Sequence, residues 1–204
     1  MTKALKQSAK VRTNATPDSI CKVNVEAIKF TDLWSNYVTG DPYVDPKTGK
    51  APDGFDNQCA IRMSATFHRV GLTMKSFTPA NVDVKGQTIG RIMLNGKFAA
   101  TKADELASWL KRHPFCGLPT KPEDITGSDW AKKVQGRTGI IFFGGYWRRD
   151  GEAAGRGTGG HIDLWNGEKM TGFGTGLRAR FGIVIPGIWS DLRDSKSILF
   201  FPIL

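Results

Sequence analysis

Apolar residues recur at helical spacing in three segments of the first 115 residues. The spacing predicts a first helix between Glu26 and Gly40 and a second over residues 56–71. Between them, glycine and proline indicate a loop over residues 40–54. Asp56 or Asn57 is expected to cap the second helix, which puts Cys59 in its first turn. The predicted core faces of these helices consist of Phe30, Leu33, Trp34 and Tyr37, and of Ala60, Met63, Phe67 and Val70.

A third helix is predicted between Thr101, whose Thr-x-x-Asp arrangement is typical of a helix cap, and the breaker His113-Pro114. Its buried stripe consists of Leu106, Trp109 and Leu110. A weaker helical pattern runs from Ser128 to Val134, and it is the last helical signal in the chain.

Beyond residue 137 the hydrophobic pattern is that of strands. Residues 138–143, 161–165 and 198–201 form short apolar runs rich in β-formers, and Asn166-Gly167 predicts a hairpin turn into a strand over residues 168–171. Residues 144–160 contain seven glycines and are expected to form a long mobile loop. Helices followed by a sheet predict an α+β fold.

The composition gives the chain a net positive charge, which does not by itself identify a ligand. The chain has 204 residues, 40% of them hydrophobic, and 29 Lys plus Arg against 19 Asp plus Glu, which gives +10. This suits one basic domain over residues 25–204, preceded by a mobile basic lead-in over residues 1–24. No apolar run is long enough to insert into a membrane, and the first residues lack the apolar stretch of a secretory signal peptide.

The chain has few enough cysteines and histidines for each to be considered in turn. Three of each are too scattered for a structural zinc site, and no metal or other cofactor is expected. Cys59 is a buried hydrophobe or a nucleophile, and the start of a helix favours its thiolate. A nucleophilic cysteine needs an imidazole base. His68 lies nine residues further on the same helix. This places it roughly 13 Å from Cys59 along the helix axis, which is too far for direct contact.

Of the other two histidines, His113 is expected to cap a helix end, since it follows the third helix and precedes Pro114. His161 begins a strand directly after the glycine-rich loop and is therefore the candidate base. The alternative is that His161 is an ordinary strand histidine.

Two motifs carry a resemblance. NQCAIRMS at residues 57–64 and GHIDLWNG at residues 160–167 resemble the two signatures of the type VI secretion amidase effectors, family 4. The resemblance spans roughly residues 26–204 and implies an NlpC-type, papain-like fold with N-terminal helices packed on a C-terminal antiparallel sheet. It implies Cys59 as nucleophile and His161 as base.

The function implied by the resemblance is that of a bacterial toxin. Such a protein is injected by the type VI secretion apparatus into the periplasm of a competitor, where it cuts the D-glutamate to meso-diaminopimelate bond of peptidoglycan stems. Immunity proteins of that family block the cleft.

The third catalytic residue does not carry over from the family. The aspartate that orients the imidazole there aligns with Gly172 here. Asp163, two residues after His161 and so on the same face of the strand, is the preferred substitute. Thr171 is an alternative, and a dyad without a third residue is another. Asp163 is otherwise a solvated strand residue or a partner of Arg62.

Two other functions compete with the amidase. A nucleic-acid-binding module would use the net charge with Trp147-Arg148-Arg149, Arg178 and Arg180, but these basic residues are dispersed, so no nucleic-acid partner is expected. A cysteine acyltransferase or transglutaminase would share the same architecture. Cys21 and Cys116 are either paired in a disulfide or two buried thiols.

Overall fold

The computed structural model describes residues 6–12, 20–83, 88–147, 159–171 and 192–204. The described helices are α1 (Phe30–Ser35), α2 (Cys59–Arg69), α3 (Ala103–Leu110) and α4 (Trp130–Lys133). The strands are β1 (Lys6–Arg12), β2 (Ile20–Glu26), β3 (Arg91–Leu94), β4 (Lys97–Ala100), β5 (Glu123–Asp124), β6 (Gly139–Trp147), β7 (Gly159–Trp165) and β8 (Ser197–Pro202).

The central sheet is antiparallel, with strand order β5-β8-β6-β7 in the part of the chain that the structure describes. Helices α2 and α3 pack against β7, and α3 also contacts β6. The predicted α+β fold, with N-terminal helices on a C-terminal antiparallel sheet, is confirmed. Strand β7 lies at the margin of this described sheet, where the first turn of α2 can approach it.

The burial of β6 on both of its faces explains why its sequence is a continuous apolar run. Ile140 and Phe142 belong to the core cluster that includes helices α2 and α3. Ile141 and Phe143 belong to a second cluster on the opposite face, with the indole of Trp130. A strand covered on both faces has no polar side to alternate with its apolar side.

The helix starts differ from the sequence expectations. Helix α1 begins at Phe30 after the N-cap Lys29, so it is shorter than predicted. Gln58, and not Asp56 or Asn57, is the N-cap of α2. Lys102, and not Thr101, is the N-cap of α3, and the Thr101 backbone N–H donates to the Gly90 carbonyl, 2.9 Å away.

A hairpin between α2 and α3 was missed. Strands β3 and β4 pair antiparallel around Asn95 and Gly96, whose φ angles of +50° and +76° are typical of a type I′ turn. The hairpin turn expected at Asn166-Gly167 is present: the Asn166 side chain accepts the backbone N–H groups of Glu168 and Lys169. After the turn, Met170 forms an antiparallel bridge to Trp165, but residues 168–171 do not form the expected strand.

Two segments of the expected basic lead-in form strands, which the sequence analysis did not predict. Strands β1 and β2 pair antiparallel, from Lys6 opposite Glu26 to Arg12 opposite Ile20. The mobility of residues 1–24 and a boundary near residue 25 stay predictions. Residues 144–147 of the expected glycine-rich loop extend β6, and residues 148–158 lie outside the described residues. Among the helices described, none has both the length and the apolar character needed to cross a bilayer.

Candidate active site

Cys59 is the first residue of α2, and it is buried, with 3% of its surface exposed. Its backbone N–H points to the Asn57 side-chain oxygen at 3.4 Å. In the part of the chain that the structure describes, the N–H groups of Ala60 and Ile61 have no hydrogen-bond acceptor. Such first-turn amides carry the positive end of the helix dipole, so this is a place that favours a thiolate and a developing oxyanion.

Three buried polar side chains fix the position of α2. The Gln58 amide pairs with Tyr43 twice, accepting its N–H at 2.9 Å and donating to its carbonyl at 2.7 Å. Ser64 Oγ accepts the Ala100 N–H, and Thr66 Oγ1 accepts the Val38 N–H, both at 3.0 Å. These bonds join the helix to the preceding loop, to β4 and to the segment after α1, so the helix that carries Cys59 is anchored to three other segments.

We expect Gln58→Ala to lower the free energy of unfolding by about 2–3 kcal/mol, because two backbone groups of Tyr43 lose their side-chain partners. Gln58 itself is fully buried. Urea denaturation measures the change, and the exposed Gln135→Ala serves as the matched control, with an expected effect below about 0.5 kcal/mol. An equal effect of the two substitutions would contradict the anchoring role of Gln58.

His161 lies in β7 beside the thiol. The two side chains lie close enough for His161 to lower the pKa of the thiol, and the backbone of Ile162 acts on that pKa in the same direction. His161 Nε2 is buried and lies 3.5 Å from Asp163 Oδ2, too far for a well-formed hydrogen bond. Catalytic hydrogen bonds of this kind are often long in the absence of substrate. The sequence-predicted pair Cys59 and His161 is therefore brought close together.

Asp163 is buried, with 1% of its surface exposed. Its Oδ1 accepts the Leu164 N–H at 2.8 Å and the hydroxyl of Thr171, while its Oδ2 faces His161. The expectation of a solvated Asp163 is therefore wrong. So is its pairing with Arg62, whose guanidinium donates to the Gly40 carbonyl at 3.1 Å and to Asp41 at 3.4 Å. The two candidate third residues are thus hydrogen-bonded to each other, because the Thr171 hydroxyl donates to Asp163.

The pKa values of the pair shift in opposite directions. Burial on its own raises the pKa of the Cys59 thiol, but the hydrogen bond and charge of His161, helped by Ile162 and Arg62, bring it below its ordinary value. Burial lowers the pKa of His161, yet its interactions with Asp163 and Cys59 outweigh burial and raise it to about 9. The geometry thus favours a thiolate beside an imidazolium at neutral pH.

The other cysteines and histidines stand apart from this site. His68 Nε2 lies 2.9 Å from the Phe98 carbonyl. Lys111, and not His113 as expected, is the C-cap of α3, and His113 follows two residues later with a φ of +51°. Cys116 is a free, half-buried thiol. The side chain of Cys21, its partner in the disulfide alternative, lies outside the described part of the structure. The described residues contain no cluster of three or more His, Cys, Asp or Glu side chains that could bind a metal.

Some expected positions cannot be compared with the geometry. Gly172 and the basic residues Arg148, Arg149, Arg178 and Arg180 lie outside the described residues. For Trp147 the structure describes the backbone alone, at the end of β6.

Tyr37 is the site residue that the sequence did not reveal. Its hydroxyl is close enough to Asp163, Thr171 and Arg62 for these residues to shift its pKa, which burial and the charge of Asp163 raise. In the sequence Tyr37 is the last apolar position of the first helical stripe, so its spacing indicates packing only. No signal in the sequence links it to residues more than 120 positions away.

Comparison with known proteins identifies the family of the chain and a solved structure with a similar fold. The sequence matches the model of a family described as type VI secretion system (T6SS), amidase effector protein 4, over residues 55–201. The fold is similar to the crystal structure of the type VI effector Tae4 from Enterobacter cloacae, with a TM-score of 0.51 and 18% identity, covering 86% of this chain and 96% of that chain. No curated protein sequence matches the chain. The resemblance and the papain-like fold expected from it are confirmed.

Proposed function

Because the chain belongs to the family of T6SS amidase effector protein 4, peptidoglycan amidases that are delivered into target cells, we propose that it cleaves its substrate through the thiolate of Cys59. His161 is the acid and base of this reaction, and Asp163 orients the imidazole. The observation that supports the proposal most is the convergence of the three side chains, from the first turn of α2 and from two positions of β7, in a buried cluster.

In the first half of the reaction, Cys59 attacks the carbonyl carbon of the scissile amide. The sulfur forms a bond to that carbon, and the N–H groups at the start of α2 stabilise the oxyanion. The carbon–nitrogen bond then breaks, and the leaving amine takes its proton from the imidazolium of His161. The acyl group remains on Cys59 as a thioester.

In the second half, water replaces the amine. The imidazole of His161, now neutral, takes a proton from water, and the resulting hydroxide attacks the thioester carbon. The carbon–sulfur bond breaks, the acid product leaves, and the thiolate and imidazolium are restored. Asp163 keeps Nε2 directed away from the sulfur throughout, since its Oδ2 lies on that side of the ring.

We propose that the bond cleaved joins D-glutamate to meso-diaminopimelate in the peptide stems. Those stems carry carboxylates, which suit a chain with a net charge of +10 without any nucleic acid. The site of action is the periplasm of the target bacterium, and the protein that protects the producer is an immunity protein that blocks the cleft.

Mass analysis of a purified tetrapeptide muropeptide after digestion tests this proposal. The expected products end in a free D-glutamate carboxyl and begin with a free diaminopimelate amine, and cleavage at any other bond would contradict the assignment. A parallel digestion with added primary amine distinguishes the proposed hydrolase from the alternative acyltransferase. A hydrolase gives the acid as its main product, whereas a transferase gives mainly the amide of the added amine.

The opposite pKa shifts predict different pH profiles for hydrolysis and for alkylation. Hydrolysis needs protonated His161, so its rate is expected to fall above pH 9, close to the raised pKa of about 9. Alkylation of Cys59 by iodoacetamide needs only the thiolate, whose pKa is lowered, so it is expected to stay high there. Both rates are expected to fall together in acid. Parallel loss of both rates above pH 9 would contradict the assigned roles.

A further inference from the structure

Arg62 lies one turn after Cys59 on helix α2. Its backbone N–H donates to the Gln58 carbonyl at 2.8 Å, so it belongs to the first hydrogen-bonded turn of the helix. Residues three apart share a helix face, and side chains on a helix lean toward its N-terminus. The side chain of Arg62 therefore lies on the face of α2 that carries the nucleophile and leans toward it.

The contacts of the Arg62 guanidinium place it beside the start of α2. Its Nη1 donates to the Gly40 carbonyl at 3.1 Å and to Asp41 Oδ1 at 3.4 Å. The same loop is bonded to the N-cap of α2, because the Gln58 amide holds both backbone groups of Tyr43. The guanidinium thus lies at the N-terminal end of the helix, where the proposed reaction takes place.

Most of the hydrogen-bonding capacity of Arg62 is unused. A guanidinium has five N–H donors, and both contacts given above use Nη1, while Nε and Nη2 have no acceptor among the residues that the structure describes. The contact with Asp41 is long, and the two side chains are 24% and 47% exposed, so the ion pair is weak. Arg62 is therefore a partly buried cation with donors to spare for a second carboxylate.

We propose that Arg62 determines substrate specificity by binding the free carboxylate of D-glutamate next to the scissile amide. Glutamate has two carboxyl groups, and only one of them forms the scissile amide, so the other is a carboxylate a few bonds from the carbonyl carbon. Arginine binds a carboxylate through two parallel N–H donors. Because Arg62 and Cys59 share one helix face, a substrate on the thiolate presents this carboxylate within reach of the long arginine side chain. The inference rests on the proposed function, since it names the part of the same substrate that the site recognises.

The first test compares two muropeptides that differ only in this group, one with the free carboxylate and one with the carboxamide. The wild type is expected to show a kcat/KM about ten- to hundredfold higher for the carboxylate, the range of a charged hydrogen bond. Arg62→Gln is expected to reduce this preference below about twofold. Arg62→Lys is expected to keep part of it, because lysine retains the charge without the planar fork. Equal wild-type rates on the two substrates would overturn the inference and leave the proposed cleavage standing.

Two control variants distinguish carboxylate binding from a structural role of Arg62. Arg112 is paired with Asp83 at 2.8 Å beyond the end of α3, so Arg112→Gln removes a charge elsewhere and is expected to leave the preference unchanged. Asp41→Asn removes the present partner of the guanidinium and is expected to keep or increase the preference. A loss of preference in either control as large as that in Arg62→Gln would overturn the inference.

The second test needs no cleavage. In the Cys59→Ala background, titration calorimetry is expected to show that the carboxylate muropeptide binds about tenfold more tightly than the carboxamide. Adding Arg62→Gln is expected to remove this difference, and thermal melting checks that each variant is folded. Equal or undetectable binding of both muropeptides to Cys59→Ala overturns the inference. Preferential binding of the carboxylate without cleavage by the wild type supports the inference and refutes the amidase chemistry.

Discussion

Cys59→Ala is expected to reduce the release of soluble fragments from purified peptidoglycan sacculi by about 10⁴-fold or more. The thiolate forms the covalent bond of the proposed reaction, and no neighbouring group in the described site replaces it. The loss is expected in kcat, with substrate binding retained, because the side chain removed is small. Quantification of released muropeptides over time, with thermal melting as the check on folding, measures this effect.

The chain offers its own control for a cysteine change. Cys116 is a free thiol outside the site, so Cys116→Ser is expected to retain the wild-type rate within about twofold. If Cys59→Ala kept substantial activity, or if Cys116→Ser lost as much as Cys59→Ala, the nucleophile would be assigned to the wrong residue.

His161→Ala is expected to lower kcat by about 10³-fold, within the range that general acid–base catalysis contributes. Two effects combine: the thiol loses the imidazolium that lowers its pKa, and the leaving amine loses its proton donor. Steady-state kinetics on a defined muropeptide measures the loss. Alkylation of Cys59 at neutral pH should fall as well, which separates a chemical defect from a failure to bind substrate.

His113→Asn is the matched control for this change. His113 is exposed and has a φ of +51°, a conformation that asparagine tolerates well, so wild-type kinetics are expected. His68→Asn is a second comparison, since His68 contacts the Phe98 carbonyl and not the thiol. A larger loss from either change than from His161→Ala would contradict the assignment of the base.

The sequence predicted the elements that carry the nucleophile and the base, because both follow local rules. Cys59 comes at the start of a strongly periodic helical segment, and His161 is the third residue of the apolar strand β7. The helix boundaries were less accurate, since contacts with distant segments, such as that of Thr101 with the Gly90 carbonyl, also lie at the helix starts. The β3–β4 hairpin was missed although Asn95-Gly96 is a turn signal.

The surroundings of Asp163 could not be predicted from spacing. The position i+2 from His161 gave the correct face of the strand, but burial and hydrogen-bond partners depend on where the chain folds back. Thr171 reaches Asp163 after the turn at Asn166, where residues 168–171 do not form the expected strand. Tyr37 arrives from the far end of α1, and only tertiary packing brings its hydroxyl near the carboxylate.

The central claim is that the substrate's acyl group passes through a thioester on Cys59, and capture by neutral hydroxylamine tests it most directly. Hydroxylamine is small, and it converts a thioester to a hydroxamate that mass spectrometry distinguishes from the free acid. Digestion of a muropeptide in its presence is expected to give the D-glutamate hydroxamate with wild-type protein and none with Cys59→Ala. Cleavage by the wild type that yields the free acid alone, at every hydroxylamine concentration, would contradict the account.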